Sequence, residues 1–314
     1  MMAPIPSRRT LLFGGCCLCC LPPSARAAAA AGPLAIREVA PGIHIRRGVD
    51  QEMSGSNRDA IANIGFIVGR DAVLVTDSGG SLADGEQLRA TISTCTDRPI
   101  RYVVMSHVHP DHAFGADAFR QDNPVFIGHH RLAAALGTRG AFYRRRLAEL
   151  IGADRAGSVV MPTEEIRTRA EIDLGGRVVS FYAHGPAHTD CDLSLLDHRS
   201  GLLLPADLLF VKRMPSLDGS LLGWLHELEV LGAMGATRAV PGHGPVAVDW
   251  APAASALRRY LTLLRDETRD AVRRGVGIDQ AVKTVARSEA GDWVLFDDYN
   301  GWNVTEAYRE LEWE

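Results

Sequence analysis

At 314 residues, 46% of them hydrophobic and 23% charged, the chain is long enough to bury a sizeable core, and its composition is that of a globular protein. A formal net charge of -4 and the lack of a Lys/Arg-rich tract argue against nucleic acid as its main partner. The cysteines exclude a disulfide-stapled fold. Four of the six (Cys16, Cys17, Cys19, Cys20) crowd one N-terminal stretch, which leaves only Cys95 and Cys191, whose pairing the sequence leaves open.

In chain order, Ser7-Arg8-Arg9-Thr10-Leu11-Leu12 is a twin-arginine pattern, followed by the apolar run LLFGGCCLCCL and the small-x-small site Ala25-Arg26-Ala27. This reads as an export signal over residues 1–27, removed so that the mature chain begins near Ala28 and works in the periplasm. The apolar run falls short of the roughly 20 residues a membrane-spanning helix needs, so no stable span is expected after cleavage. Residues 28–33 read as a linker and 34–314 as one α/β domain.

Apolar, β-branched runs bounded by glycine predict strands at GIHIRRG (42–48), IANIGFIVG (61–69) and DAVLVTDSGG (71–80). The polar loop VDQEMSGSNRDA separates the first two and is long enough to act as a flap. Leu82, Leu88 and Ile92 have helical spacing over 81–94, with Ser81 as the N-cap. RYVVM (101–105) is a short buried strand, AFGADAFRQD a helix, and PVFIG (124–128) another strand. HRLAAALGTRGAFYRRRLAELIGA is helical, with Gly137 and Gly140 as weak points and Arg144-Arg145-Arg146 as a solvated face. A strand-rich stretch follows, EIDLGG, RVVSFYAHG, DLSLLDHRSG and LLLPADLLF, with hairpin turns at Gly175-Gly176 and Ser200-Gly201. Leu257, Leu261, Leu264, Ala271 and Val272 then mark one stripe of a long helix.

SHVHPDHAFG, at the end of RYVVM, places His107, His109, Asp111 and His112 within six positions. Imidazole with carboxylate suits Zn, and also Fe and Mn. His107 and His109 share one side of an extended segment, whereas Asp111 and His112 fall where the chain turns into a helix. One segment thus offers ligands in two directions, which suits two metals better than one. Further donors stand at other strand ends: His188 after RVVSFYA, Asp207 inside LLLPADLLF and His243 between Gly242 and Gly244. A carboxylate in so apolar a run needs a strong partner, and a metal pair is such a partner.

Asp77, His107-x-His109-x-Asp111-His112, His188, Asp207 and His243 resemble, in order, the five motifs of the metallo-β-lactamase superfamily. The resemblance implies an αββα sandwich, two facing mixed β-sheets flanked by helices, with two Zn²⁺ at one edge. It assigns His107, His109 and His188 to the first metal, Asp111, His112 and His243 to the second, Asp207 as the bridge and Asp77 as a support for the ligand loop. It further implies a hydroxide held between the metals that attacks an ester, thioester, lactam or phosphoester, with Asp111 accepting a proton. An aspartate at 207, where true β-lactamases of the superfamily generally carry cysteine or serine, sides with the glyoxalase II-like hydrolases. Two departures are Ala206, where glycine is usual before the bridging aspartate, and Cys191, in place of a common glycine. Cys191 is not counted as a ligand, and His129-His130 read as helix-start polarity. Lys212 and Arg213 are candidate contacts for an anionic substrate.

A narrower resemblance, to exported zinc metallohydrolases of quinoprotein relay systems, rests on the twin-arginine segment, NRDAIANIGFIVG, HTDCDLS, ADLLFVKRMPSLDGSLLGW and WNVTEAYRELE. It implies a link to quinoprotein dehydrogenases but names no substrate. Two alternatives remain open on sequence: a mononuclear iron oxygenase of the persulfide dioxygenase type, and a metal-containing binding or maturation protein.

Overall fold

A computed structural model describes residues 34–314; the expected export signal lies outside the described residues. The strands are β1 Arg37–Ala40, β2 Ile43–Arg46, β3 Ile64–Val68, β4 Val73–Thr76, β5 Ile100–Met105, β6 Val125–His129, β7 Glu164–Ile166, β8 Arg169–Asp173, β9 Val178–Ala183, β10 Leu193–Asp197, β11 Leu202–Phe210, β12 Arg238–His243 and β13 Val248–Asp249. β1 to β7 form one sheet in sequence order, antiparallel up to β4 and parallel from there on. The second sheet runs β13-β12-β11-β10-β9-β8, with β11 and β12 parallel and every other neighbour antiparallel. Both sheets are therefore mixed, as expected.

The helices are α1 Leu82–Cys95, α2 Pro110–Ala113, α3 Leu132–Ile151, α4 Ala153–Ala156, α5 Leu221–Ala233, α6 Trp250–Arg273, α7 Ile278–Thr284 and α8 Phe296–Leu311. Three cores separate the layers. Along β4, Leu74 points between the sheets while Val73 and Val75 point toward α1 and α3. β5 repeats the rule, with Val104 inward and Val103 and Met105 toward the helices. In β11, Leu202 and Leu204 face the other sheet and Leu203 faces the layer of α5, α6 and α8. Period-two alternation with both faces buried is why these strands read as unbroken apolar runs. Each such side chain contributes about 1.5–3 kcal/mol when fully buried. The result is an αββα sandwich.

Ser81 caps α1 by accepting the Asp84 amide at 3.2 Å, and both expected hairpins form, with Gly175, Gly176 and Gly201 at positive φ. Phe114–Asp122, expected as a continuing helix, is a 3₁₀ helix after the single turn of α2. α3 runs unbroken through Gly137 and Gly140. No helix among the described residues is long and apolar enough to cross a membrane.

Candidate metal centre

The strand ends deliver the site. β5 stops at Met105, and the chain continues through His107 to His109, the N-cap of α2, with Pro110 at the first helical position, where its missing N–H is not needed. His188 follows β9 on the loop to β10, Asp207 lies in β11 and His243 closes β12. Two groups of donors result. His107, His109, His188 and Asp207 form one; Asp111, His112 and His243 form the other; the donor atoms within each lie inside 4.8 Å of one another. Asp207 faces both, with Oδ2 3.4 Å from His188 Nε2 and 3.3 Å from His243 Nε2, and Oδ1 3.0 Å from His112 Nε2.

Outward-facing nitrogens are spoken for. His188 Nδ1 donates to the Ser216 carbonyl at 2.7 Å, His243 Nδ1 to the Ile61 carbonyl at 3.1 Å and His112 Nδ1 to Asp77 Oδ2 at 2.9 Å. His107 Nδ1 meets Ser106 Oγ at 3.0 Å, and His109 Nε2 meets Asp218 Oδ2 at 3.3 Å. Each such bond fixes the tautomer of the neutral ring, so that its inward nitrogen presents a lone pair. Three lone pairs then converge: His109 Nδ1 lies 3.1 Å from His107 Nε2 and 3.0 Å from His188 Nε2. Neutral imidazoles cannot satisfy one another in that geometry, and a cation can. His112 Nε2 and Asp207 Oδ1 are likewise buried without a well-aligned hydrogen bond, despite their 3.0 Å approach. The residues present fit a pair of metal ions.

Charge divides the groups in the same way. Burial pushes His107 well below the ordinary histidine range and His188 down to about 3. Burial works against charge on His112 and His243 too, but Asp207 and its neighbouring carboxylates outweigh it and raise both. The same imidazoles hold Asp207 and Asp111 below the usual carboxylate range against their own burial.

Asp77 sits at φ 58°, a left-handed conformation held by its bonds to Ser106 N (2.8 Å), Ser106 Oγ (3.0 Å) and His112 Nδ1. Ala206 also has positive φ (48°), the conformation that favours glycine. Gly244 bends the chain after His243 at φ 115°, whereas Gly242 serves by closeness, because a methyl there would overlap Asp207 Oδ1. Cys191 belongs to neither group: it packs in the core, burial pushes its thiol up to about 12, and neither it nor Cys95 is in a disulfide. His129 is also outside both, meeting the His184 carbonyl at 3.2 Å.

A cavity of about 830 Å³ opens over His109, Asp111, Asp207 and His243. Arg213 lines it, but is engaged by the Gln51 carbonyl, Glu52 (3.4 Å) and the Tyr299 hydroxyl (2.9 Å). Lys212 is exposed and is not part of the lining. The expectation of two basic contacts thus reduces to one partly neutralised guanidinium. Asp218, Arg139, Tyr143, Asp59 and Tyr299 also line the cavity, and the sequence singles out none of them as a site residue. Asp218 lies 109 positions from the His109 it holds, so only the fold pairs them.

Residues 58–243 match the family model described as metallo-beta-lactamase superfamily. A linear primary-alkylsulfatase from Pseudomonas sp. (strain ATCC 19151) is 22% identical over 68% of this chain, and the chain spans about half (48%) of that relative's length. A metallo-beta-lactamase from Pontibacter korlensis superposes with TM-score 0.60 at 17% identity, covering 73% of this chain and 99% of that one. A structure of TMB-1 gives TM-score 0.58 at 14% identity over 74% of this chain and 98% of the other, a likeness of fold.

Proposed function

The chain belongs to the metallo-β-lactamase superfamily, and we propose on that premise that it is a binuclear, metal-dependent hydrolase of esters, thioesters or related bonds. One observation carries the reading: Asp207 presents its carboxylate to both donor groups at once, 3.4 Å from His188 Nε2 and 3.0 Å from His112 Nε2. His107, His109 and His188 would hold one ion, Asp111, His112 and His243 the other, and Asp207 both. Zinc is the ion the donor set favours, with Fe or Mn as substitutes. Two such ions supply Lewis acidity and water activation.

The chain's own residues set the rest. Asp111, on the cavity floor with its carboxylate 3.2 Å from His243 Nε2, is placed to take a proton from the attacking water. Asp77, Asp218 and Ser216 fix the ligand rings. Buried carboxylates against two dications leave a site that favours substrates bearing or developing negative charge. The alkylsulfatase relative adds sulfate esters to the candidate bonds. Aspartate at 207 weighs against lactams. Export by the twin-arginine route and service beside quinoprotein dehydrogenases are part of the same proposal, resting on residues 7–27 and the motifs above.

Metal quantification on protein from its native host, with turnover on a panel of esters, thioesters, lactams, phosphate and sulfate esters, tests the reading. About two metal ions per chain and hydrolysis of at least one class are expected. One iron per chain with O₂ consumption on a persulfide would sink it. Asp207→Ala should lose one ion and cut turnover by more than the roughly 10–100-fold that loss of an outer-shell partner costs; unchanged metal content contradicts the bridge. N-terminal sequencing of the exported protein, expected to start near Ala28, tests the export call.

A further inference from the structure

The cavity floor is polar, but two walls rising from it are not. One runs from His109 to Tyr143, with ring centres 6.4 Å apart, and on to Phe142 at 5.9 Å from Tyr143. Another starts at Phe210, stacked on His243 at 5.0 Å, and includes Met214, Tyr299 and Trp302. Phe142 and Trp302 end these walls in solvent, 48% and 52% exposed. A lone exposed aromatic is ordinary, but two lining one cavity that reaches the donor groups mark a binding groove. Trp302 is held in place by its indole N–H, which donates to the Leu217 carbonyl at 2.8 Å.

The cavity's guanidiniums do not compete for this role. Arg139 is paired with Asp218, and Arg213 is engaged by Gln51, Glu52 and Tyr299, so neither is free to clamp an anionic tail. Anion recognition is left to the metal floor and apolar contact to the walls. Phe210 and Met214 lie within the 58–243 segment that the superfamily model matches, whereas Tyr299 and Trp302 come from α8, beyond it.

We propose that Phe142 and Trp302, with the walls beneath them, bind the apolar part of an amphiphilic substrate: an alkyl or aryl group whose ester-type head lies over His109, Asp111, Asp207 and His243. The inference rests on the hydrolase reading for the position of the head, and on the walls alone for the tail. Transfer of each methylene from water into such a groove strengthens binding by about two- to fourfold.

Calorimetric titration of the metal-loaded protein with ethyl-, butyl-, hexyl- and octylphosphonate reads this without turnover. Kd should fall by about two- to fourfold per added methylene. In Phe142→Ala and Trp302→Ala the penalty should grow with chain length, to about tenfold at octyl, while Phe142→Leu and Trp302→Phe keep most of the slope. Phe142→Ala, at a half-exposed position, should melt as wild type. Trp302→Ala also leaves the Leu217 carbonyl without its partner, so its melting temperature should fall modestly, and a retained cooperative transition confirms a folded variant. A Kd independent of chain length, or a slope that both alanine variants leave intact, overturns the inference. A protein that keeps the slope but hydrolyses no substrate class overturns the hydrolase reading alone; a hydrolase with a flat series overturns this inference alone.

Discussion

The imidazoles of the two donor groups differ in how firmly they hold a proton, and metal must compete with that proton. In the metal-free protein, burial keeps His107 and His188 neutral, His188 down to about 3. Asp207 and neighbouring carboxylates overcome burial at His112 and His243 and lift both above the ordinary value of about 6.5. The sign is fixed by these directions. A histidine whose pKa is raised holds its proton to higher pH than an ordinary one, and more firmly as pH falls, so metal affinity at Asp111, His112 and His243 drops with acidification. His107 and His188 are deprotonated over the same range and impose no such loss. On the proposed two-ion reading, acidification from pH 8 to pH 5 should therefore remove one ion before the other, read as bound metal per chain after gel filtration at each pH. Loss of both ions together would contradict the division. Uptake of the second ion near pH 7 should also release protons to a weakly buffered solution.

At the scale of elements, strand ends aim the donors and glycines set how closely the strands approach. Gly242 in β12 lies against Asp207 in β11, where an added methyl would overlap Asp207 Oδ1 and stand 2.8 Å from the Ala206 carbonyl carbon. Because part of the clash is with backbone, rotation of one side chain cannot relieve it. Gly242→Ala should displace Asp207 and lower metal occupancy, with a lowered melting temperature. Gly137→Ala is the contrast: nothing lies within 4 Å of that methyl in the middle of α3, and the helix should gain about 0.5–1 kcal/mol. These placements also show what the sequence reveals. β4, β5 and β11 are legible because both faces are buried, and His107, His109, His188, Asp207 and His243 are legible because they interrupt or end such runs. β1 is not, since its four residues are half-buried or exposed at a sheet edge. The 3₁₀ turn at Phe114–Asp122 is not, because over nine residues periods of 3.0 and 3.6 are hard to tell apart. Asp218 and Arg139 are not, because their partners are brought to them by the fold rather than by spacing.

Over the whole molecule, the segment after the superfamily match is tied to the donor groups through α8. Phe296, Val304, Ala307 and Leu311 pack it into the core beneath α5 and α6. Buried Asn303 accepts the Leu217 amide at 2.9 Å and donates to the Pro215 carbonyl at 2.8 Å. Between and beyond those two points stand Ser216, whose carbonyl holds His188, and Asp218, which holds His109. α8 therefore fixes the short segment that orients two of the three imidazoles of the first donor group. Glu310, on the same helix, does something different: it accepts the Leu221 amide at 2.7 Å and the Ser220 hydroxyl at 2.6 Å, capping α5. Removing the cap should cost about 1 kcal/mol and leave the donors in place. Removing Asn303 strands two buried backbone groups, at about 1–3 kcal/mol each, and also frees the 215–218 segment. Asn303→Ala should thus lower both melting temperature and metal affinity, the latter by about 10–100-fold as for other outer-shell partners. Glu310→Ala should lower melting temperature alone. Thermal denaturation with chelator competition on both variants separates the two roles, and an Asn303→Ala protein that melts early but holds its metals as tightly as wild type would confine α8 to the core.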